Sequence, residues 1–260
     1  MAKIGGSTQG MPNVQLISLL GLGVFGVVSL VVALRLLLLA SRTRQLPEFL
    51  IGLSFLSGGI LGRAPIAAAL SAESLPEMLR VGLFMGGRFM LVICCVAIAL
   101  MAWRVFQRDQ AWARVLFLAL LAPMALHSAV DVFVTRPGTP LYESMGFWIG
   151  TIGKTGAFAW GSWEAIRYYG MLRRRIPLGL ADPVVANRIA LWGVAAGLIA
   201  FLFLVNPLAQ LATGLTQESP ALSMMQSAIG LAVAVCIALA FFPPRAYLQR
   251  IESRAAHQEG

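Results

Sequence analysis

Charge is scarce in this chain. Only 12% of its 260 residues are Asp, Glu, Lys or Arg, about half the share found in an ordinary soluble domain. Histidine is scarcer still: there are two, and His257 lies close to the C-terminus. Zinc needs three or four N, S or O ligands in tight geometry. Neither a His-x-x-x-His nor a paired-cysteine spacing occurs, so no metal centre is expected. The three cysteines, Cys94, Cys95 and Cys236, fall inside apolar runs and read as small packing residues. No Ser/His/Asp order, glycine-rich phosphate loop or kinase-type motif is present, so neither a catalytic set nor a cofactor is expected.

What the chain has instead is hydrocarbon. Hydrophobic residues make up 58% of it, and the mean hydropathy is +0.80. That balance excludes a soluble globular protein. The useful unit of length is the membrane span of about 20 apolar residues.

Seven apolar segments follow one another. They run from Val14 to Ala40, Pro47 to Leu70, Met78 to Trp103, Ala113 to Val134, Met145 to Tyr169, Pro183 to Ala212 and Leu222 to Phe242. Helices are expected throughout, because lipid offers no partner to open backbone groups. The alternating ten-residue segments of a transmembrane barrel are missing. The first segment is too long for the apolar region of a signal peptide, which leaves residues 1–13 as a short polar tail. Pro47, Pro76, Pro183 and Pro220 suit first helical positions, and Asp182 and Ser219 suit N-caps.

The arginines give an orientation. Arg35, Arg42 and Arg44 flank the first loop and Arg104, Arg108 and Arg114 the third. Arg167, Arg173, Arg174, Arg175 and Arg188 crowd the fifth, and Arg245, Arg250 and Arg254 fill the 244–260 tail. The even loops carry mainly Glu73, Glu77, Glu143 and Glu218 against Arg80 and Arg136. The positive-inside rule therefore expects the N-terminus outside and the C-terminus in the cytoplasm. The formal charge of +9 is then a topology signal and not a nucleic-acid interface. Arg173, Arg174 and Arg175 read either as a stop-transfer run or as a contact for anionic lipid or a cytoplasmic protein. The excess of Arg over Lys, with abundant Ala, Gly and Leu, points to a GC-rich bacterial genome and hence an inner (plasma) membrane.

An internal repeat is also expected. Ala33-Leu34-Arg35-Leu36 corresponds to Ala165-Ile166-Arg167-Tyr168, and each is followed by a basic loop and a proline-led helix. Cys95 and Cys236 each precede an arginine, Arg104 and Arg245, by nine residues. Segments 14–103 and 145–243 thus form two three-helix units, and 113–134 is the linker that makes them parallel. This 3+1+3 plan resembles that of opsins and SWEET-type sugar transporters in organisation alone. The opsin retinal lysine has no counterpart, since Leu222 to Phe242 contains no lysine. The phrase Leu178-Gly179-Leu180-Ala181-Asp182-Pro183 with Asn187-Arg188 is similar to one in uncharacterised bacterial membrane proteins, and that resemblance implies no activity.

An ionisable group in mid-membrane is costly and needs a partner or a purpose. Arg63, near the expected outer end of its helix, reads as a snorkelling residue. Arg88 follows Gly86-Gly87 and lies about 15 Å deep at 1.5 Å per residue. His127 and Asp131 are four apart on one helical face, one turn beyond Pro123. Their readings are a proton relay or a structural bond between helices. Lys154 has about the depth of Arg88 and His127. Gly146, Gly150, Gly153, Ala157, Gly161 and Glu164 form a stripe for close helix packing. Glu164 is either part of the buried site or the partner of a loop arginine.

Arg63, Arg88 and Lys154 against Asp131 and Glu164 leave one positive charge in surplus, unless Lys154 is neutral. Arg88, His127, Asp131, Lys154 and Glu164 are therefore the candidate ligand-binding or proton-relay residues. The surplus points to a transporter of a small solute, an anion among the candidates, or of protons. The alternative is a receptor-like sensor that signals through a separate cytoplasmic partner. An intramembrane enzyme is the third class, and it lacks a catalytic set.

Overall fold

The computed structural model describes residues 11–72, 74–134, 145–213 and 219–259, and describes side chains over 23–72, 74–130, 145–213, 219, 221–251 and 253. Every described element is helical. In chain order they are α1 (Met11–Thr43), α2 (Leu46–Leu56), α3 (Gly62–Ser71), α4 (Glu77–Met101), α5 (Ala111–Val134), α6 (Met145–Arg175), α7 (Pro183–Thr213), α8 (Pro220–Phe241) and α9 (Arg245–Glu259). Helices α2 and α3 form one rod, joined by a π-helical turn over Ser57–Leu61. A second π turn, Ala102–Phe106, extends α4.

Local chemistry explains the helix ends. Asp182 caps α7, its Oδ1 accepting from Val184 N at 2.7 Å and Val185 N at 3.4 Å. Ser219 Oγ accepts from Leu222 N at 3.4 Å at the start of α8. Pro47 and Pro183 occupy the first turns of their helices, whereas Pro76 stands just before α4 as its N-cap. Gly179 adopts a left-handed φ of 66° after a short 3-10 turn over Ile176–Leu178, a conformation that favours glycine. The Leu178–Pro183 phrase is thus a helix stop followed by a helix start. The π turn at Ser57–Leu61 precedes Pro65, whose ring removes the hydrogen bond to residue 61 and crowds its carbonyl. Widening the helix there accommodates the proline.

Six rods are long and apolar enough to cross a membrane: Gly23–Thr43, Leu46–Ser71, Glu77–Phe106, Ala111–Val130, Pro183–Thr213 and Ala221–Phe241. The chain is therefore compatible with a multi-pass membrane protein. The sequence reading expected seven. Helix α6 is 31 residues long, about 46 Å at 1.5 Å per residue, but it carries Lys154, Glu164, Arg167 and a row of glycines. Its composition falls short because it is an interior helix. It packs against α4, α5 and α7, and buries Lys154 and Glu164 along with its small residues.

The rods close on one another in sequence. Helix α1 packs against α2 and α8, α2–α3 against α4, α4 against α6, α6 against α7, and α7 against α8. Helix α5 lies against α4 and α6. A cavity of about 40 Å³ is lined by residues of α1, the α2–α3 rod, α4, α6, α7 and α8, and by none of the described residues of α5. The tail expected after residue 244 is helical over α9, which docks through Tyr247 and Asn187, with oxygen–nitrogen and oxygen–oxygen separations of 3.0 and 3.2 Å.

Candidate functional site

The stripe of small residues on α6 sets the site. Gly146, Gly150, Gly153, Ala157, Gly161 and Glu164 are all buried. A Cβ at Gly153 would stand 2.9 Å from Met124 Cγ, and one at Gly150 would overlap the His127 ring. The missing side chains let α5 lie close on α6, with the imidazole of His127 against the bare face of Gly150. On the other side of this seam, Gly87 lets α4 approach the α3 backbone, since a Cβ there would meet Gly62 O at 2.5 Å. Gly86 faces open space and plays no such part.

His127 is 1% exposed. Its Nδ1 lies 3.0 Å from the carbonyl oxygen of Gly146. A carbonyl can only accept, so Nδ1 carries the proton and Nε2 presents its lone pair. Two cationic side chains converge on that lone pair: Arg88 Nη2 from α4 at 3.2 Å and Lys154 Nζ from α6 at 3.0 Å. Three helices therefore meet at one nitrogen atom. The Arg88 guanidinium also lies 5.6 Å from the Phe84 ring centroid. Asp131 belongs to α5, one turn beyond His127, but its side chain is outside the described residues, as are Glu73, Arg136, Glu143 and Glu218.

Glu164 is not part of this centre. It is ten residues further along α6, about 15 Å, and builds a centre of its own. Its Oε2 accepts from Gln107 Nε2 at 2.9 Å, and its Oε1 accepts from Trp160 Nε1 at 3.3 Å. Arg167 Nε lies 3.4 Å from Oε2, one turn away and largely exposed. Gln107, 6% exposed, has no counterpart among the residues singled out from sequence, because it falls in the short polar link between two spans.

Arg63 is half-buried: it lines the central cavity with Ser54, Gly58, Gly59 and Cys94, and its guanidinium lies 5.4 Å from the Phe25 ring centroid. The three cations of the spans are thus divided: Arg88 and Lys154 meet in the α4–α5–α6 seam, and Arg63 is in the ring. None of Arg88, His127 or Lys154 lines the cavity. Arg173, Arg174 and Arg175 end α6 and are exposed. Among the described residues no group of three His, Cys, Asp or Glu could hold a metal ion.

Against protein-family models, curated proteins and solved structures alike, the chain finds no match.

Proposed function

We propose that this multi-pass membrane protein is a transporter of a small solute, an anion or a proton, and that the Arg88–His127–Lys154 centre is where the transported charge is read. The observation that carries the reading is the convergence of two cationic donors from different helices on one buried imidazole lone pair. Inside a bilayer such a pair of positive charges is costly. A centre that gathers two such donors around one imidazole is suited to reading an arriving anion or proton.

The geometry allows both. The Gly146 carbonyl holds the Nδ1 proton, so Nε2 is the one position of the ring that can gain a proton. Lys154 Nζ, 3.0 Å away, can hand its proton to Nε2 and take it back. An incoming anion would compete with Nε2 for the same Arg88 and Lys154 donors and loosen the joint among α4, α5 and α6. Seven spans with the N-terminus outside would place this centre in the outer half of the bilayer, and parallel three-helix units would let the two halves move about it.

The test is flux in liposomes containing the full chain and an entrapped pH dye, under an imposed chloride or acetate gradient. Arg88→Met and Lys154→Met are expected to abolish gradient-driven proton or anion movement. Wild-type rates in both variants would refute the reading. A receptor role draws its support from α6, which carries Lys154 in the seam and exposes Arg173, Arg174 and Arg175 at its end. Ligand-dependent capture of a cytoplasmic partner by that end, without flux, would favour it.

A further inference from the structure

The central cavity is built separately from the His127 centre. Six rods contribute to it, α2–α3 counting as one, and its wall is almost wholly hydrocarbon and aromatic, with Phe25, Phe55, Phe158, Trp192 and Phe203 among its residues. Into this wall projects one guanidinium. Arg63 is half-buried, its Nε is buried and makes no hydrogen bond, and among the described residues no carboxylate lines the cavity. A guanidinium stays charged under any ordinary condition, and burial of a charge without a counter-charge is strongly unfavourable. Phe25 offers the face of its ring at 5.4 Å, a weak partner that supplies no negative charge. One turn along α1 from Phe25, Ser29 Oγ is also buried without a hydrogen-bond partner, against Gly59.

The arm that carries Arg63 is itself held in an unusual way. The π turn over Ser57–Leu61 lies directly before it, and π turns recur at functional sites. Gly58 and Gly59 let that turn press on Cys94 of α4 and Ser29 of α1. The guanidinium is thereby positioned on the cavity wall.

We infer that this cavity is a binding site for a small planar monoanion, specifically a short-chain monocarboxylate, held by Arg63. A single fixed cation matches a single negative charge. The planar fork of a guanidinium matches two coplanar carboxylate oxygens. Apolar walls accept a short alkyl group and penalise a strongly hydrated dianion such as sulfate or phosphate. A cavity of about 40 Å³ exceeds the roughly 10–15 Å³ needed to hold one water, and it limits a guest to the shortest carboxylates, not a fatty acid. The site goes beyond the transport reading above: it uses none of Arg88, His127 and Lys154, and it stands if that reading fails.

The test is thermal unfolding of the full chain in detergent, followed by tryptophan fluorescence, with sodium acetate titrated at constant ionic strength against sodium sulfate. A ligand that binds only the folded state raises the unfolding midpoint with the logarithm of its concentration above its Kd. Acetate is expected to give this rise in the wild type, sulfate is not, and Arg63→Met is expected to lose the rise. Arg63→Lys, which keeps the charge but not the fork, is expected to keep a weaker one. Should Arg63→Met fail to fold, Ala196→Phe leaves the cation in place and fills the cavity, and it is expected to abolish the rise equally. An acetate response that persists in Arg63→Met or in Ala196→Phe, or one that sulfate reproduces, overturns the proposal. Arg88→Met separates the two centres. It is expected to keep the acetate response whatever becomes of flux, and loss of the response there but not in Arg63→Met would move the anion to the His127 centre.

Discussion

Replacing Gly150 by alanine adds one methyl group to α6 at the point where the imidazole of His127 rests. That carbon would stand 2.5 Å from His127 Cδ2 and 2.7 Å from its Cβ. Carbon atoms settle at about 3.5–4.0 Å, so the ring or the whole of α5 must retreat by about 1 Å. The ring's contacts to Arg88 and Lys154, at 3.2 and 3.0 Å, have no slack for such a shift. Overpacking costs about 1–3 kcal/mol, and each hydrogen bond from a charged donor contributes about 1.5–3 kcal/mol. Against this, alanine gains about 0.5–1 kcal/mol over glycine in a helix. Allowing for partial relaxation, a net loss of about 3–5 kcal/mol follows from these terms. At about 2–4 °C per kcal/mol for a chain of this size, the unfolding midpoint falls by about 10 °C. Gly170 provides the control on the same helix, since a Cβ there meets nothing within 4 Å. Gly170→Ala is expected to unfold slightly above the wild type, by the propensity gain alone. The measurement is parallel thermal unfolding of the three proteins in one detergent, followed by circular dichroism. A Gly150→Ala protein as stable as Gly170→Ala would refute the placement of His127 on α6.

Two further perturbations probe the other joints. Glu164→Ala strips the buried Gln107 and Trp160 donors of their acceptor and is expected to cost about 2–4 kcal/mol. Arg167→Ala, which removes only an exposed partner, is expected to cost no more than about 1 kcal/mol, and equal losses by thermal unfolding would contradict the assignment. Tyr247→Phe removes the Asn187 contacts at 3.0 and 3.2 Å and is expected to weaken the docking of α9 by about 1 kcal/mol, seen as faster hydrogen exchange over Arg245–Glu259 with α7 unchanged.

The helices were legible in the sequence because hydropathy and helix-end chemistry act locally. The expected span from Pro183 to Ala212 becomes Pro183–Thr213, and the one from Pro47 to Leu70 becomes Leu46–Ser71. The meeting of Arg88, His127 and Lys154 was legible by depth, since the 1.5 Å rise puts three residues on three helices at one level. The glycine stripe indicated a close neighbour without saying which helix it was. What could not be read depends on direction and on distant partners. Depth alone leaves open what an arginine side chain lines, and Arg63 reaches the cavity wall through the π turn and the glycines that hold that turn against α1 and α4. Glu164 acquires Gln107 across 57 residues of chain, and an isolated glutamine in a link carries no signal of such a role. Helix α9 was missed because its sequence is polar and its support comes from distant partners, Asn187 of α7 and the Ile176–Leu178 turn.

The division of the cations bears on how the two buried centres relate. Of the helices that supply Arg88, His127 and Lys154, only α4 and α6 also supply the cavity wall. On α6 the residue one turn beyond Lys154 is Phe158, and on α4 the residue three beyond Arg88 is Leu91, and both line the cavity. Helix α5 supplies the imidazole and nothing to the cavity, so it acts on the ring only through the seam. A proton or anion arriving at His127 would change what holds α4 and α6 together on one side. The same two helices would then carry that change to the cavity wall at Leu91 and Phe158, one turn away. Proteins respond to such a change by switching between packed arrangements and not by yielding smoothly, because close-packed interiors are poorly compressible. On the transport reading, α5 would therefore act on the cavity only through its seam with α4 and α6.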